Sequence, residues 1–137
     1  MTGTEYQQLA MRTNDGKNVG RLSDKILQLH RFNPDVPGWD SRGGFDIGGI
    51  FNACLGLSGE VGEVNDTVKK WVFHESSLDL DHLAKEVGDV MWYIALICES
   101  FGFSLDTIMQ MNVDKLSKRY RDGFSVYEAN HRNLNDV

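Results

Sequence analysis

The sequence predicts an all-α domain, a bundle of about four to five helices, and three observations support this. Long segments place apolar residues three and four positions apart, which is the spacing that lines one face of an α-helix. No segment alternates apolar and polar residues for long enough to indicate a strand. The only two prolines, Pro34 and Pro37, stand close together, so both strong helix breakers fall in one place. We therefore expect a single domain over residues 1–137, with its core in 50–124.

The predicted helices follow in chain order. A short first helix is expected from Thr4 to Thr13, and a second from Ser23, a candidate N-cap, to Phe32. Ser104 is a favourable N-cap for the last of the long helices, and Gly102, just before it, suits the end of the preceding one. The three long helices are predicted over Ile50–Phe73, Asp79–Phe101 and Ser104–Tyr120.

Two segments are predicted to be irregular. Residues 33–49 hold both prolines and five glycines, and this composition indicates a flexible loop. The loop also carries Trp39, Arg42 and Phe45, which fit either a flap over a ligand or side chains docked on the core. The polar residues 128–137 are expected to form a loose tail.

Charge and apolar content restrict the function classes. A formal charge of −6 argues against binding a nucleic acid polymer through a broad basic surface. The longest strongly apolar stretch, Val87–Cys98, is too short to span a bilayer, and the polar start, Met1–Ala10, does not resemble a signal peptide. Cys54 and Cys98 lie in apolar runs, which predicts two reduced core thiols. These features favour a cytoplasmic protein that does not bind membranes.

Four acidic residues form two pairs on the two longest predicted helices. The pattern Glu60–x–x–Glu63 recurs as Glu86–x–x–Asp89, and residues three apart share a helix face. Antiparallel helices would bring the two pairs together. By contrast, Asp66 points away from the apolar side of its helix, where an acid is readily solvated.

The acid pairs lie on or beside the predicted apolar stripes. Glu60 falls at the edge of the first stripe, Glu63 lies just beyond it, and Glu86 falls near the middle of the second. Buried carboxylates need protons or a cation, because burying an unpaired ion costs several kcal/mol. The alternative for either pair alone is an ordinary charged helix face. The stripes consist of Leu57, Val61, Val64, Val68 and Trp71 on one helix and of Val90, Tyr93 and Ile97 on the other.

Clustered carboxylates without nearby His or Cys ligands favour Mg²⁺, Mn²⁺ or Ca²⁺ over Zn²⁺. No EF-hand loop is present, which makes a calcium sensor a poor fit, so Mg²⁺ is the expected ion and Mn²⁺ its substitute. Gly59, Gly62 and Gly88 stand beside the acids although glycine is unfavourable inside helices. Close helix approach or room for a ligand would explain them.

The combined signature resembles that of the MazG-like nucleoside triphosphate pyrophosphohydrolases. Residues 52–63 and 86–95 are similar to the family's two acidic helices, and 111–120 to its third segment. The start of the chain is similar to that of short phage-type members, whereas the loop 33–49 departs from the compact linker of the family. The resemblance covers about residues 52–124. It implies cleavage between the α and β phosphates, and a homodimer or homotetramer with sites built partly across subunits.

Residue roles follow from this resemblance as hypotheses. The four acids would bind Mg²⁺, and Glu63 would help to deprotonate the attacking water. Asn52 and Lys70 lie on the same side of their helix as Glu63, about two turns away from it in either direction. The candidate contacts to the sugar and phosphates of a nucleoside triphosphate are Asn52, Lys70, Asn112, Lys115 and Arg119.

Other interpretations stay open at this point. Trp39, Trp71 or Tyr93 could stack on a base, although a core role is the better expectation for the last two. His74 and His82 fit ordinary surface histidines. The substrate could instead be dUTP, dCTP or phosphoribosyl-ATP. The chain could also be a non-catalytic helical interaction module whose acids bind metal for structure or bind a basic partner.

Overall fold

A computed structural model describes residues 1–29, 45–120 and 123–131 of the chain, and within them it is all-α, as predicted, with no strand. The chain divides into two compact units, Met1–Ile47 and Gly48–Val137. The prediction of one domain over residues 1–137 stays a prediction. The helices of the described residues are α1 (Gly3–Ala10), a 3-10 turn (Met11–Thr13), α2 (Asn18–Leu29), α3 (Ile47–Phe73), α4 (Leu80–Phe101), α5 (Leu105–Arg119) and α6 (Val126–Asn130).

Local capping determines where the helices of the first unit begin. Thr2 caps α1: its Oγ1 accepts from the Glu5 N–H at 3.2 Å, and the Glu5 carboxylate accepts from the Thr2 N–H in return. Helix α2 starts at Asn18, so the prediction that Ser23 is an N-cap was wrong. The reason lies just upstream, where the Asp15 carboxylate accepts from the Lys17 N–H at 3.1 Å and pairs with the Arg21 guanidinium. These bonds hold the chain in a turn ahead of Asn18.

Helix α3 begins three residues earlier than predicted, at Ile47. Gly48 and Gly49, assigned to the loop because of their low helix propensity, lie in its first turn. Propensity is a weak preference that tertiary structure overrides, and the N–H groups of a first turn have no intrahelical partner. Of the loop's side chains, Phe45 is half-buried, whereas Trp39 and Arg42 lie outside the described residues.

Helix α4 lies within one residue of its predicted bounds, and Gly102 ends it as the sequence indicated. Asp79 is its N-cap, accepting from the backbone N–H of His82 at 3.0 Å. Gly102 ends it at φ +69°, and the next N–H, that of Phe103, donates to the Cys98 carbonyl at 2.8 Å. Ser104 then caps α5, which meets α4 at a bend of 106°.

Helix α6 corrects the predicted tail. Val126–Asn130 is helical, so the first residues of the segment 128–137 belong to an ordered turn. Its final residues, 132–137, lie outside the described part of the chain.

Helices α3 and α4 pack in opposite directions along the chain. Gly56 on α3 lies against the Tyr93 ring on α4, and four residues later Glu60 lies near Asp89, which is four residues before Tyr93. A Cβ added at Gly56 would stand 2.2 Å from Tyr93 Cε1, so only glycine lets the ring approach this closely. This contact supports the packing role expected of Tyr93.

Much apolar surface of α3 and α4 is exposed in the single chain. Among the described residues only Ala53 and Cys98 are buried apolar residues. The predicted core role of Trp71 was wrong, since this residue is 49% exposed, and Cys54 is an exposed free thiol instead of a core one. Leu55 is 74% exposed, on the turn next to Gly56.

No single helix of the described residues is long and apolar enough to cross a membrane. The bent pair α4 and α5 passes this test together, by length and composition only.

Candidate metal centre

Three of the four predicted acids converge between α3 and α4. Glu60, Glu86 and Asp89 each offer a carboxylate oxygen, and these oxygens all lie within 4.8 Å of one another. Glu60 is half-buried, Asp89 is exposed, and Glu86 is only 8% exposed. The internal repeat of the sequence therefore corresponds to a shared site.

The spacing of the acids along each helix and the packing of the two helices bring these acids together. Spacings of three residues keep the members of each pair on one face of their helix. The antiparallel packing of α3 and α4, with Gly56 against Tyr93, then sets the acids of one helix opposite those of the other, one turn further along. The site is thus built entirely from helix interiors.

The glycines beside the acids do not explain the close packing. A Cβ built at Gly59, Gly62 or Gly88 meets nothing within 4 Å among the described residues. The expectation of close helix approach at these three positions was wrong for the single chain, and the open space next to the acids remains. The residue that does permit close approach is Gly56, which the sequence reasoning did not single out.

The carboxylates act on one another electrostatically. The pKa of Glu60 is raised, first by loss of hydration and then by the negative charges of Asp89, Glu63 and Glu86. Glu63 is therefore close to the cluster, although its oxygens are not among the three that converge, and its side chain is exposed.

The donor set fits a hard divalent cation. All three converging ligands are carboxylates, and in the described residues none of them pairs with a lysine or an arginine. Mutually repelling carboxylates with one buried member are stabilised by a cation that neutralises them. Oxygen-only ligation is the preference of Mg²⁺, Mn²⁺ and Ca²⁺.

A small charge network lies next along α3. The Asp66 carboxylate pairs with the ammonium groups of Lys69 at 2.5 Å and Lys70 at 2.6 Å, and these hydrogen bonds lower the pKa of Asp66 to about 2. The pKa of Lys70 is raised, first by its hydrogen bond to Asp66, with a smaller contribution from Glu63. Lys70 is therefore near the acidic site, as its helix face predicted, but its ammonium is held by Asp66.

The other predicted substrate residues lie on α3 and α5. Asn52 is exposed on α3, Asn112 and Lys115 are exposed on α5, and Arg119 is half-buried at the end of α5. In the described part of the chain, Asn52, Asn112 and Lys115 make no hydrogen bond or ion pair with the four acids. Their roles in substrate binding stay predictions.

His82 was missed by the sequence reasoning. The sequence predicts an ordinary surface histidine, whereas Nδ1 of His82 lies 3.3 Å from Oε1 of Glu86. The available signal was the spacing, because positions i and i+4 are neighbours on a helix surface. His74, by contrast, is exposed as expected.

Comparisons with known proteins agree with this geometry. Residues 43–124 match the family model described as the MazG nucleotide pyrophosphohydrolase domain. The chain is 36% identical over 77 residues to the Gene 37 protein of Mycobacterium phage L5, an alignment covering 53% of this chain and 68% of that protein. No solved structure matches the chain. Since the matched range covers more than half of the chain and includes both acid pairs, the protein belongs to the family of MazG nucleotide pyrophosphohydrolase domains.

Proposed function

We propose that this protein is a Mg²⁺-dependent nucleoside triphosphate pyrophosphohydrolase. It would cleave the bond between the α and β phosphates of ribo- or deoxyribonucleoside triphosphates, giving the monophosphate and pyrophosphate. The observation that carries the proposal is the convergence of Glu60, Glu86 and Asp89 from two helices in a chain of this family.

The metal would be held by the three converging carboxylates, with Glu63 beside them. Mg²⁺ is the first choice and Mn²⁺ the alternative, because the site offers hard oxygen ligands and open space for phosphate. When bound, the ion supplies charge neutralisation for phosphate oxygens and lowers the pKa of coordinated water. Buried Glu86 would fix the ion's position, since its side chain has the least freedom to move.

Glu63 would serve as the general base. It lies close enough to Glu60 to raise that residue's pKa, yet it is exposed and lies outside the converging trio. A carboxylate in this position can accept a proton from a water that attacks the α phosphorus. Its partners in holding that water would be the neighbouring acids.

Positive charge for the phosphates would come from two helices. Lys70 on α3 is near Glu63, and Asp66 keeps its ammonium group in that neighbourhood. On α5, Lys115 and Arg119 stand four residues apart and so share a helix face with Asn112. Asn52 and Asn112 would complete the binding of sugar and phosphate through their side-chain amides.

The assembly that we propose is a homodimer or homotetramer. Its support is the exposed apolar surface of α3 and α4, where Leu55 and Trp92 are 74% and 72% exposed and Phe51 and Met91 are also open. Large exposed apolar side chains mark association sites in soluble proteins where they form one patch. A second chain that covers these residues would bury the apolar side chains that stay exposed among the described residues of one chain.

The test is a panel of ordinary and modified NTPs and dNTPs, including dUTP and dCTP, together with phosphoribosyl-ATP, incubated with Mg²⁺ and resolved by chromatography. Monophosphate and pyrophosphate, formed by the native protein but not by Glu63→Gln, support the proposal, and the preferred substrate names the base. Turnover of phosphoribosyl-ATP alone would replace the nucleoside triphosphate assignment. If folded, metal-loaded protein turned over none of these compounds, a non-catalytic interaction module would be the better interpretation.

A further inference from the structure

The contact between His82 and Glu86 joins an unassigned side chain to the metal centre. The His82 Nδ1 lies 3.3 Å from Oε1 of Glu86, whose own oxygens converge with those of Glu60 and Asp89. The ring nitrogens of His82 are not part of the converging group. Any effect of His82 on a bound cation therefore passes through Glu86.

The backbone of His82 is held by the N-cap of α4. His82 stands in the first turn of α4, where its N–H donates to the N-cap carboxylate of Asp79 at 3.0 Å. The side chain four residues further along the helix is Glu86, so the imidazole lies over the carboxylate. The imidazole is 53% exposed, whereas Glu86 is buried, so His82 forms the solvent side of the contact.

We propose that His82 is a positioning residue for the metal centre: its Nδ1–H donates to Oε1 of Glu86 and orients that carboxylate toward the cation. An ionised carboxylate is only an acceptor, so the hydrogen must sit on the histidine nitrogen. One lone pair of Oε1 is used in this bond, and the remaining lone pairs of the carboxylate stay available to the cation. The proposal rests on the proposed function, because it presupposes a cation at the three acids.

The physical gain is in the orientation of the ligand. Carboxylates that bind metals are themselves held by hydrogen bonds, and the loss of such a partner typically weakens metal binding about 10- to 100-fold. The half-exposed position and the 3.3 Å separation of His82 place the expected effect at the lower end, about tenfold. A purely structural pair on a helix surface would instead change folding stability slightly and leave the affinity of the folded protein for metal unchanged.

The experiment measures Mn²⁺ binding to the full-length protein by electron paramagnetic resonance, which distinguishes free from bound ion, at pH 8 and without nucleotide. His82→Ala is compared with His82→Asn, whose amide nitrogen can take the place of Nδ1, and with His82→Gln, whose amide reaches toward the position of Nε2. His74→Ala is the matched control, since His74 is an exposed histidine outside the metal centre. Circular dichroism and thermal denaturation establish that each variant is folded.

We expect about tenfold weaker Mn²⁺ binding in His82→Ala and His82→Gln, recovery in His82→Asn, and native affinity in His74→Ala. Unchanged affinity in folded His82→Ala, with native protein that binds Mn²⁺, would overturn the positioning role and leave the proposed function standing. Equal losses in His82→Asn and His82→Ala would also overturn it, because the Nδ1 donor would then not be the cause. Native protein that binds no Mn²⁺ would overturn the metal centre and this role together.

Discussion

Replacing Gly56 with alanine tests whether the packing of α3 on α4 sets the geometry of the acid cluster. The new Cβ would stand 2.2, 2.3 and 2.7 Å from three atoms of the Tyr93 ring. Carbon atoms in ordinary contact are about 3.5–4.0 Å apart, so the ring or the whole of α4 must retreat by about 1.3–1.8 Å. A retreat of α4 would carry Asp89, one turn from Tyr93, away from Glu60, which lies one turn from Gly56.

The expected cost follows from two opposing effects. Overpacking at a helix contact destabilises by about 1–3 kcal/mol. Exchanging glycine for alanine inside a helix raises the free energy of unfolding by about 1 kcal/mol. We expect Gly56→Ala to lose up to about 2 kcal/mol in the free energy of unfolding and to bind Mn²⁺ more weakly, because the carboxylate oxygens separate.

Chemical denaturation and Mn²⁺ titration measure both quantities. Gly59→Ala is the control, since its Cβ meets nothing within 4 Å and the exchange should stabilise α3. Adding Tyr93→Leu to Gly56→Ala removes the ring that the new methyl group meets, so the pair should be less destabilising than the sum of the single changes. Equal stability and equal Mn²⁺ affinity for Gly56→Ala and Gly59→Ala would refute the idea that this contact sets the site.

Three further predictions concern cation, charge and assembly. Mg²⁺ at a hundred times its Kd should raise the free energy of unfolding of the native protein by about 2.7 kcal/mol relative to the protein in EDTA, as measured by thermal denaturation. The Glu86→Gln variant should not be stabilised by Mg²⁺ in the same measurement. Because the pKa of Asp66 is lowered to about 2 from its ordinary 3.8, the stabilisation from its pairs with Lys69 and Lys70 is present above pH 3.8 and is lost as the pH falls toward 2. Asp66→Asn should therefore lose less stability than the native protein across that interval in acid titrations followed by circular dichroism, and an identical acid dependence would contradict the pairing. Trp92→Glu should shift the protein toward monomer in sedimentation velocity, and an unchanged sedimentation coefficient would exclude this part of α4 from the interface.

The acid pairs were predictable because their signal is local. A spacing of three residues on an apolar helix fixes which side chains share a face, and this was enough to expect Glu86 in a buried position. Helix ends that depend on a single capping residue, such as Gly102 and Ser104, were predictable for the same reason.

The features that sequence reasoning missed depend on contacts between elements or on competing local bonds. The importance of Gly56 arises from a ring on another helix, which no pattern along α3 reveals. The early start of α2 follows from Asp15 pairing across six residues with Arg21. Trp71 is exposed despite its apolar side chain, because the described residues of one chain do not cover this side of α3.

The segment between α3 and α4, residues 74–79, contributes no side chain to the acid cluster. The close contact between the two helices at Gly56 and Tyr93 lies outside that connection. A relative with a longer or shorter turn there could keep the same site, whereas one residue inserted between Gly56 and Glu60 would rotate every later residue of α3 by about 100°. Insertions and deletions in divergent members should therefore accumulate in this turn, and the distances from the glycine to the acids should stay fixed.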